Sequence, residues 1–444
     1  MTNRTLGVIS LGCSKNRLDT EGMLYALTKD GFTIIEDLEN ADLIVVNTCS
    51  FIQSAKEESI EMILQAAQMK QQRPGTKLLV TGCLPERYRE ELAKELPEVD
   101  AFVGVNQYGE IVDIVRRIFA GEQVQDYTTQ TELPAGRVQT TPKHLAYVRI
   151  AEGCDHRCAY CAIPAIRGPY RSRPMEEIVA ECQKLVNEGV KEIVLIAQDT
   201  SYYGKDLYGR FCLAELLQKV DAVGAQWVRI LYVYPERITK QLLDTMVNSK
   251  SIVPYLDLPL QHVDNDILRA MGRPTTQEKL YALMEQIQNC VKPFTLRTTF
   301  ITGFPGETQE QFNALVSFVK EGYFAHVGAF AYSKEEGTRA AKLPNQIPKR
   351  TKEARQNALL AAQQPISRKF MERAVGTEME IMIEEYDADI CMYLGRAQSQ
   401  APEVDGVTYV SSSSPLLLGQ TVRCKIMQAN EYDWMGEAID DVSQ

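Results

Sequence analysis

From Gly7 onward, short β-rich runs alternate with longer amphipathic ones: GVISL before DTEGMLYALTKDG, DLIVVN before EESIEMILQAAQMK, KLLVTG before ERYREELAKEL. Runs of period two separated by runs of period 3.6 predict a parallel sheet with crossover helices. A second alternation opens at Leu145, with strands predicted in LAYVRIA, EIVLIA, WVRILYV, PYLDLPL, FTLRTTFIT and AHVGAFAYS. Helical patterns separate them; in EEIVAECQKLVNEG, residues Ile178, Val179, Cys182, Leu185 and Val186 share one face. Six such units predict a partial (β/α)6 barrel, and a full eight-unit barrel would need more strands than are present.

A chain of 444 residues exceeds what one hydrophobic core organises, so several domains are expected. Polar, poorly periodic sequence from Thr128 to Lys143 reads as a linker, ending a first domain at 1–135 and opening a central one at 144–373. The basic stretch PKRTKEARQNALLAAQQPISRKFMERAVG is helical, with an interruption expected at Pro365 and a role in linking domains. After Gly376 come short alternating strands, EMEIMIEEY, ICMYLGRA, TYVSS, TVRCKIMQ and WMGEAID, separated by turn residues. They predict a small antiparallel β-barrel of the OB-like kind over 376–442. The fold class is thus α/β with a terminal barrel. No apolar run approaches the roughly 20 residues that cross a membrane, and the opening MTNRTLGVISLGC reads as a first strand rather than a secretory segment.

Eleven cysteines, an odd number spread over a long chain, fit a reducing, cytoplasmic setting, where clustered cysteines are metal-ligand or catalytic candidates. Cys154, Cys158 and Cys161 in EGCDHRCAYCAIP form a C-x-x-x-C-x-x-C loop directly after a predicted strand, where α/β active sites lie. Three thiolates ligate three irons of a four-iron cubane and leave the fourth iron open. An open iron can chelate the amino and carboxylate groups of S-adenosylmethionine and pass an electron to its sulfonium. The resulting 5'-deoxyadenosyl radical removes hydrogen from unactivated carbon. The alternative is a zinc site completed by His156, but structural zinc favours paired C-x-x-C spacings, and no second pair lies nearby.

Cys13 follows GVISL, Cys49 follows DLIVVN and Cys83 follows KLLVTG, each just past the carboxyl end of a predicted parallel strand. Those ends share one edge, so the three can converge. A lone cysteine there is more often a packed core residue; three in matching places predict a second cluster, again with an open iron. Cys182 and Cys290 on apolar helix faces, Cys391 and Cys424 in alternating strands, and Cys212 at a helix start are assigned to packing.

The triplet loop resembles that of the radical S-adenosylmethionine superfamily. By that resemblance Tyr160 lies near the adenine, and Gln198 and Asp199 of LIAQDTS stand where the superfamily's amino-group motif does, departing from its GGEP form. TFITGFPGE, with Ile301, Gly303, Gly306 and Glu307, resembles the motif lining the adenine and ribose pocket; a turn needing glycine is the alternative. SLGCSKNRLDTE, VVNTCSF and VTGCLPER resemble the amino-terminal domain of the methylthiotransferases, and the chain follows their three-domain order, ending in a TRAM barrel. This implies two 4Fe-4S clusters, sulfur held at the auxiliary cluster, and S-adenosylmethionine used as methyl donor and as radical source. It also implies an electron donor such as flavodoxin or ferredoxin.

The family divides between enzymes of transfer RNA adenosine and an enzyme of ribosomal protein. From Val375 to Gln444 there are 13 acidic residues against three basic ones, Arg396, Arg423 and Lys425, the opposite of an RNA-binding balance. A net charge of −11 likewise leaves no globally basic surface. SLGCSKN, LPLQH and GRAQSQAPEVDG also resemble the ribosomal-protein branch. The implied reaction adds a methylthio group to the β-carbon of an aspartate in small-subunit ribosomal protein twelve; the alternative substrate is transfer RNA adenosine. A cluster protein that docks on the ribosome without radical chemistry is the non-enzymatic alternative. His262 has no assigned role, and Tyr202, Tyr203, Tyr232 and Tyr234 either line a substrate path or pack.

Overall fold

The computed structural model describes residues 4–127 and 136–439. The first half of the expected linker, 128–135, lies outside them.

Six parallel strands form the first sheet: β1 (Arg4–Ser10), β2 (Phe32–Ile34), β3 (Leu43–Thr48), β4 (Lys77–Gly82), β5 (Ala101–Val103) and β6 (Val124–Asp126), in the order β2-β1-β3-β4-β5-β6. Three more strands are present than the sequence pattern predicts, because β2, β5 and β6 span three residues each, too few to display a period. Helices α1 (Ser14–Lys29), α2 (Gln53–Gln72), α3 (Cys83–Glu95) and α4 (Ile111–Phe119) supply the crossovers. Strand alternation divides the core: Leu43 and Val45 pack on one face of the sheet, Ile44 and Val46 on the other. Since β1, β3 and β4 are neighbours, their carboxyl ends lie side by side.

The central domain carries β7 (Leu145–Arg149), β8 (Ala151–Glu152), α5 (Ile163–Arg167), β9 (Arg171–Ser172), α6 (Met175–Asn187), β10 (Glu192–Ile196), α7 (Leu213–Asp221), β11 (Trp227–Ile230) and α8 (Lys240–Asn248). It continues with β12 (Tyr255–Gln261), α9 (Asn265–Met271), α10 (Gln277–Gln288), β13 (Thr295–Thr302), α11 (Gln309–Lys320) and β14 (His326–Ala331). The six long strands form two parallel sets, β11-β10-β7 and β12-β13-β14. A Val228–Ile252 bridge and a 2.9 Å hydrogen bond from Val233 N to Asp257 O join them.

Helix α12 (Lys349–Glu372) runs through Pro365 without the expected break. Pro365 lies on the exposed side, where water can take the carbonyl it frees, while Leu359, Gln363, Ser367 and Met371 form a buried stripe of spacing four. Packing of that stripe offsets a proline cost of about 3 kcal/mol. The helix ends on the terminal barrel, where Trp434 Nε1 donates to Met371 O at 2.9 Å.

The barrel closes in the order β15-β16-β17-β19-β18 from β15 (Glu378–Asp387), β16 (Met392–Arg396), β17 (Thr408–Ser411), β18 (Thr421–Ala429) and β19 (Trp434–Ala438). It departs from a purely antiparallel barrel in one pair, since β17 and β19 run parallel. Cys391 is another correction: it is exposed in the turn between β15 and β16 with φ 53°, neither in a strand nor packed. Cys290 lies just past α10, partly exposed, whereas Cys182, Cys212 and Cys424 are buried. Among the described residues no helix is long and apolar enough to cross a membrane.

Candidate active site

A two-residue ladder, Ala151 with Ser172 and Glu152 with Arg171, closes the base of the triplet loop. Gly153 has φ +79°, and a Cβ there would lie 2.0 Å from Pro169 O, so the turn into Cys154 requires glycine. The loop backbone is then strung between two neighbours: Ala159 N donates to Met271 O at 2.7 Å, and Ala340 N to Ala159 O at 2.8 Å. Cys154 and Cys158 are buried and Cys161 is partly buried. Burial, with a smaller contribution from the nearby Cys158, pushes the Cys154 and Cys161 thiols up to about 12. Three thiols this close and this dry suit a cationic iron cluster, whose charge would hold them as thiolates.

His156 is held by other partners. Its ring stacks on Tyr234 with centroids 4.3 Å apart and planes within 3°, and its Nε2 lies 2.7 Å from Asp199 Oδ2. Arg237 Nη1 donates to the same oxygen at 2.7 Å, and Ser201 N and Oγ donate to Oδ1 at 2.9 and 2.5 Å. Both Asp199 oxygens are therefore engaged in bracing the loop. Gln198 differs: its Nε2 donates to Glu152 Oε1 at 2.8 Å, while its Oε1 is buried without a hydrogen-bond partner.

Tyr160 and Ile301 meet in one apolar cluster with Ala159, Met271, Phe304 and Tyr332. Glu307 holds its own turn: Oε2 accepts from Gly303 N at 2.7 Å and from Arg355 Nη1 at 2.5 Å, and Oε1 accepts from His262 Nε2 at 3.1 Å. Because His262 Nδ1 accepts from Asp264 N at 3.0 Å, the neutral ring carries its proton on Nε2. Gly306 is exposed in the same turn. Tyr203 is buried and donates to Arg173 O, a packing role, whereas Tyr202 lies edge-on to His156.

Arg273 carries no spacing signal, yet it lies at the centre of this site. Fully buried, it sits 4.1 Å over the Tyr234 ring, close enough to Tyr160 and Cys158 to interact with both electrostatically. Nη2 reaches Glu236 Oε1 and Pro259 O, each at 3.2 Å, while Nε and Nη1 have no hydrogen-bond partner.

The second cysteine set lies along the edge of the first sheet. Cys13 precedes α1, Cys83 opens α3, and Cys49 follows β3. Two of the three thus sit at helix amino termini, where backbone N–H groups favour negative charge. Gly12 has φ +88°, and a Cβ there would lie 2.9 Å from Cys49 Cβ and 3.2 Å from its Sγ, so glycine keeps this space open. Asn16 Nδ2 donates to Leu11 O at 3.1 Å and Thr48 O at 2.9 Å, tying the loops that carry Cys13 and Cys49. Cys83 Sγ lies 3.6 Å from Asn16 Oδ1. Burial pushes the Cys83 thiol up to about 12, Arg167 pulls it down, and Cys13 and Cys49 raise it. Here too three neighbouring thiols suit a cluster. Among the described residues no three His, Cys, Asp or Glu side chains form a cage for a single ion; a cubane spreads its ligand sulfurs more widely.

A buried charge network spans the two sets. Arg149 reaches Asp19 Oδ1 at 2.5 Å and Glu152 Oε2 at 2.8 Å, and Arg167 reaches Asp19 Oδ2 at 2.9 Å and Glu152 Oε2 at 3.3 Å. Burial works against the Glu152 charge, but the two guanidiniums and Gln198 hold its carboxyl down at about 2.

Residues 5–104 match the profile of uncharacterized protein family UPF0004, residues 148–319 that of the radical SAM superfamily, and residues 375–439 that of the TRAM domain. Ribosomal protein uS12 methylthiotransferase RimO of Desulforamulus reducens is 46% identical over 439 residues, covering 98% of this chain and 99% of its own. The proteins of the same name from Thermoanaerobacter sp. and Clostridioides difficile are 43% and 44% identical, each over 98% of this chain and 100% and 98% of their own. Among solved structures, the radical S-adenosylmethionine methyltransferase TsrM of Kitasatospora setae superposes with a TM-score of 0.55 at 13% identity, over 74% of this chain and 72% of its own. The cobalamin-dependent radical enzyme OxsB gives 0.53 at 13% identity, over 82% and 56%. These two likenesses are of fold. An iron-sulfur cluster and S-adenosylmethionine are the cofactors of the radical SAM domain. Identity above 40% along the whole chain, with all three domains in order, settles the relationship: the chain belongs to the RimO family of radical S-adenosylmethionine methylthiotransferases.

Proposed function

We propose that this chain adds a methylthio group to the β-carbon of an aspartate in ribosomal protein uS12. The observation that carries this reading is the pair of three-cysteine sets joined by one buried charge network, in a chain whose full-length relatives bear that activity in their names. Cys154, Cys158 and Cys161 hold one 4Fe-4S cluster, and Cys13, Cys49 and Cys83 hold a second, auxiliary one. Bound there, the clusters and S-adenosylmethionine supply a one-electron reduction, a radical able to take hydrogen from unactivated carbon, and a methylated sulfur.

The chain's own residues orient and enclose these groups. Tyr160 and Ile301 pack along the cofactor's path, Gln198 offers an unpartnered carbonyl oxygen, and Arg273 offers two unpartnered nitrogens near Cys158. Asp199 fixes His156 and Arg237, and Glu307 fixes the Gly303 turn, so both act by shaping the site. The working units are residues 1–135, 144–373 and 376–442, with the enzyme in the cytoplasm and a flavodoxin or ferredoxin supplying electrons.

The barrel's charge supports a basic protein partner over RNA. Glu380, Glu385, Asp389 and Glu437 are exposed. Glu384, Glu403 and Asp405 do not belong to that docking face, since they pair with Arg396, Arg17 and Arg297. The test is turnover in vitro: reconstituted enzyme with S-adenosylmethionine and a reductant should form 5'-deoxyadenosine and add a methylthio mass to uS12. Addition to transfer RNA instead would overturn the substrate.

A further inference from the structure

Arg167 is the last residue of α5, which begins two residues after Cys161, so the radical loop and this side chain are one continuous segment. Its guanidinium crosses into the first domain and is fully buried there. The two ends of the fork have different partners. Nη1 faces the carboxylates of Asp19 and Glu152. Nη2 lies 2.5 Å from Asn16 Oδ1 and 3.8 Å from Cys83 Sγ.

Asn16 is itself the tie between the loops of Cys13 and Cys49, through Leu11 O and Thr48 O. One guanidinium end therefore contacts the brace of two auxiliary cysteines and the sulfur of the third. Lysine has a single point of charge and cannot reach both ends of this arrangement at once. The carboxylates do not by themselves require Arg167, because Arg149 already pairs with both Asp19 and Glu152.

We propose that Arg167 is a positioning residue of the auxiliary site: it holds an N–H donor and a positive charge against Cys83 Sγ and so raises the reduction potential of the group that the three cysteines bind. A cluster gains negative charge on reduction, and both a nearby cation and a hydrogen bond to a ligand sulfur favour the reduced form. The inference rests on Cys13, Cys49 and Cys83 being cluster ligands.

The test uses the full chain with Cys154, Cys158 and Cys161 replaced by alanine, so that only the auxiliary set can load. It is reconstituted with iron and sulfide and titrated electrochemically, with visible absorbance and electron paramagnetic resonance as readouts. Arg167→Gln should show a midpoint potential shifted negative from the parent, R167Q/D19N one shifted negative from D19N, and Arg167→Lys should recover part of the shift. The double variant leaves no unpaired carboxylate in place of the arginine, which protects folding. A loaded R167Q/D19N variant titrating at the potential of D19N alone would overturn the role of Arg167. A parent that loads no cluster at all would overturn the assignment of the three cysteines, and this inference with it.

Discussion

Arg396 of the terminal barrel places Nη2 2.6 Å from Glu192 Oε2 of β10, with both side chains buried. Glu192 also accepts from Arg229 Nε at 2.7 Å, and Arg396 forks onto Glu384 at 2.6 and 2.9 Å. His144 Nε2 lies 3.3 Å from the same Glu384 carboxylate. The barrel is thus joined to the central domain by a largely buried chain of charges, in which Glu192, Arg396 and Glu384 each have two partners.

This joint is expected to open in acid. Burial disfavours the Glu384 charge, yet hydrogen bonds from His144 and Arg396 and their charges bring its carboxyl from 4.5 down to about 2. A depressed folded-state value stabilises the joint in full above pH 4.5, and the contribution is lost as the pH falls toward about 2. Denaturant unfolding at stepped pH should show stability falling across that window, and Glu384→Gln should flatten the fall. An unchanged slope in the variant would remove Glu384 from the joint.

The two cysteine sets should separate on substitution. Cys158→Ala should abolish 5'-deoxyadenosine formation, whereas Cys49→Ala should spare much of it and stop sulfur insertion. Product analysis by liquid chromatography and mass spectrometry distinguishes the two. Equal loss in both, with folding intact, contradicts the division of labour.

Gly153→Ala tests the turn beneath the triplet loop. An added Cβ would meet Pro169 O at 2.0 Å, at a φ of +79° that L residues rarely adopt. The variant should retain the auxiliary cluster and lose the other, so that iron and sulfide per chain fall from two clusters' worth to one. Full loading would show that the loop tolerates a side chain there.

Much of the architecture was legible because it is periodic. Cysteines after GVISL, DLIVVN and KLLVTG lie on one sheet edge since a parallel sheet aligns the carboxyl ends of its strands. The triplet's place just past a strand was legible from the β-rich run before it. What was not legible depends on pairing across hundreds of residues: Arg149 and Arg167 with Asp19, Arg396 with Glu192, and Arg273 over Tyr234. An isolated arginine in a sequence carries no mark of whether it is solvated or buried. Asp199 and Glu307 show the converse, motif acids whose oxygens turn out to be engaged within the fold. Pro365 misled because the sequence shows the missing N–H and not the buried stripe that carries α12 past it.

Charge reversal on the barrel should weaken docking to uS12. Glu380, Glu385 and Asp389 are exposed, so replacing them by lysine alters the surface without touching the joint. Calorimetric titration with isolated uS12 should show weaker binding and a shallower salt dependence for the triple variant. Unchanged affinity would mean that the barrel does not dock the basic partner.

The most direct measurement is mass spectrometry of uS12 and of transfer RNA from cells with and without this gene. Loss of one methylthio mass from uS12 alone is expected. Loss from transfer RNA alone would leave the radical chemistry standing and contradict the proposed substrate.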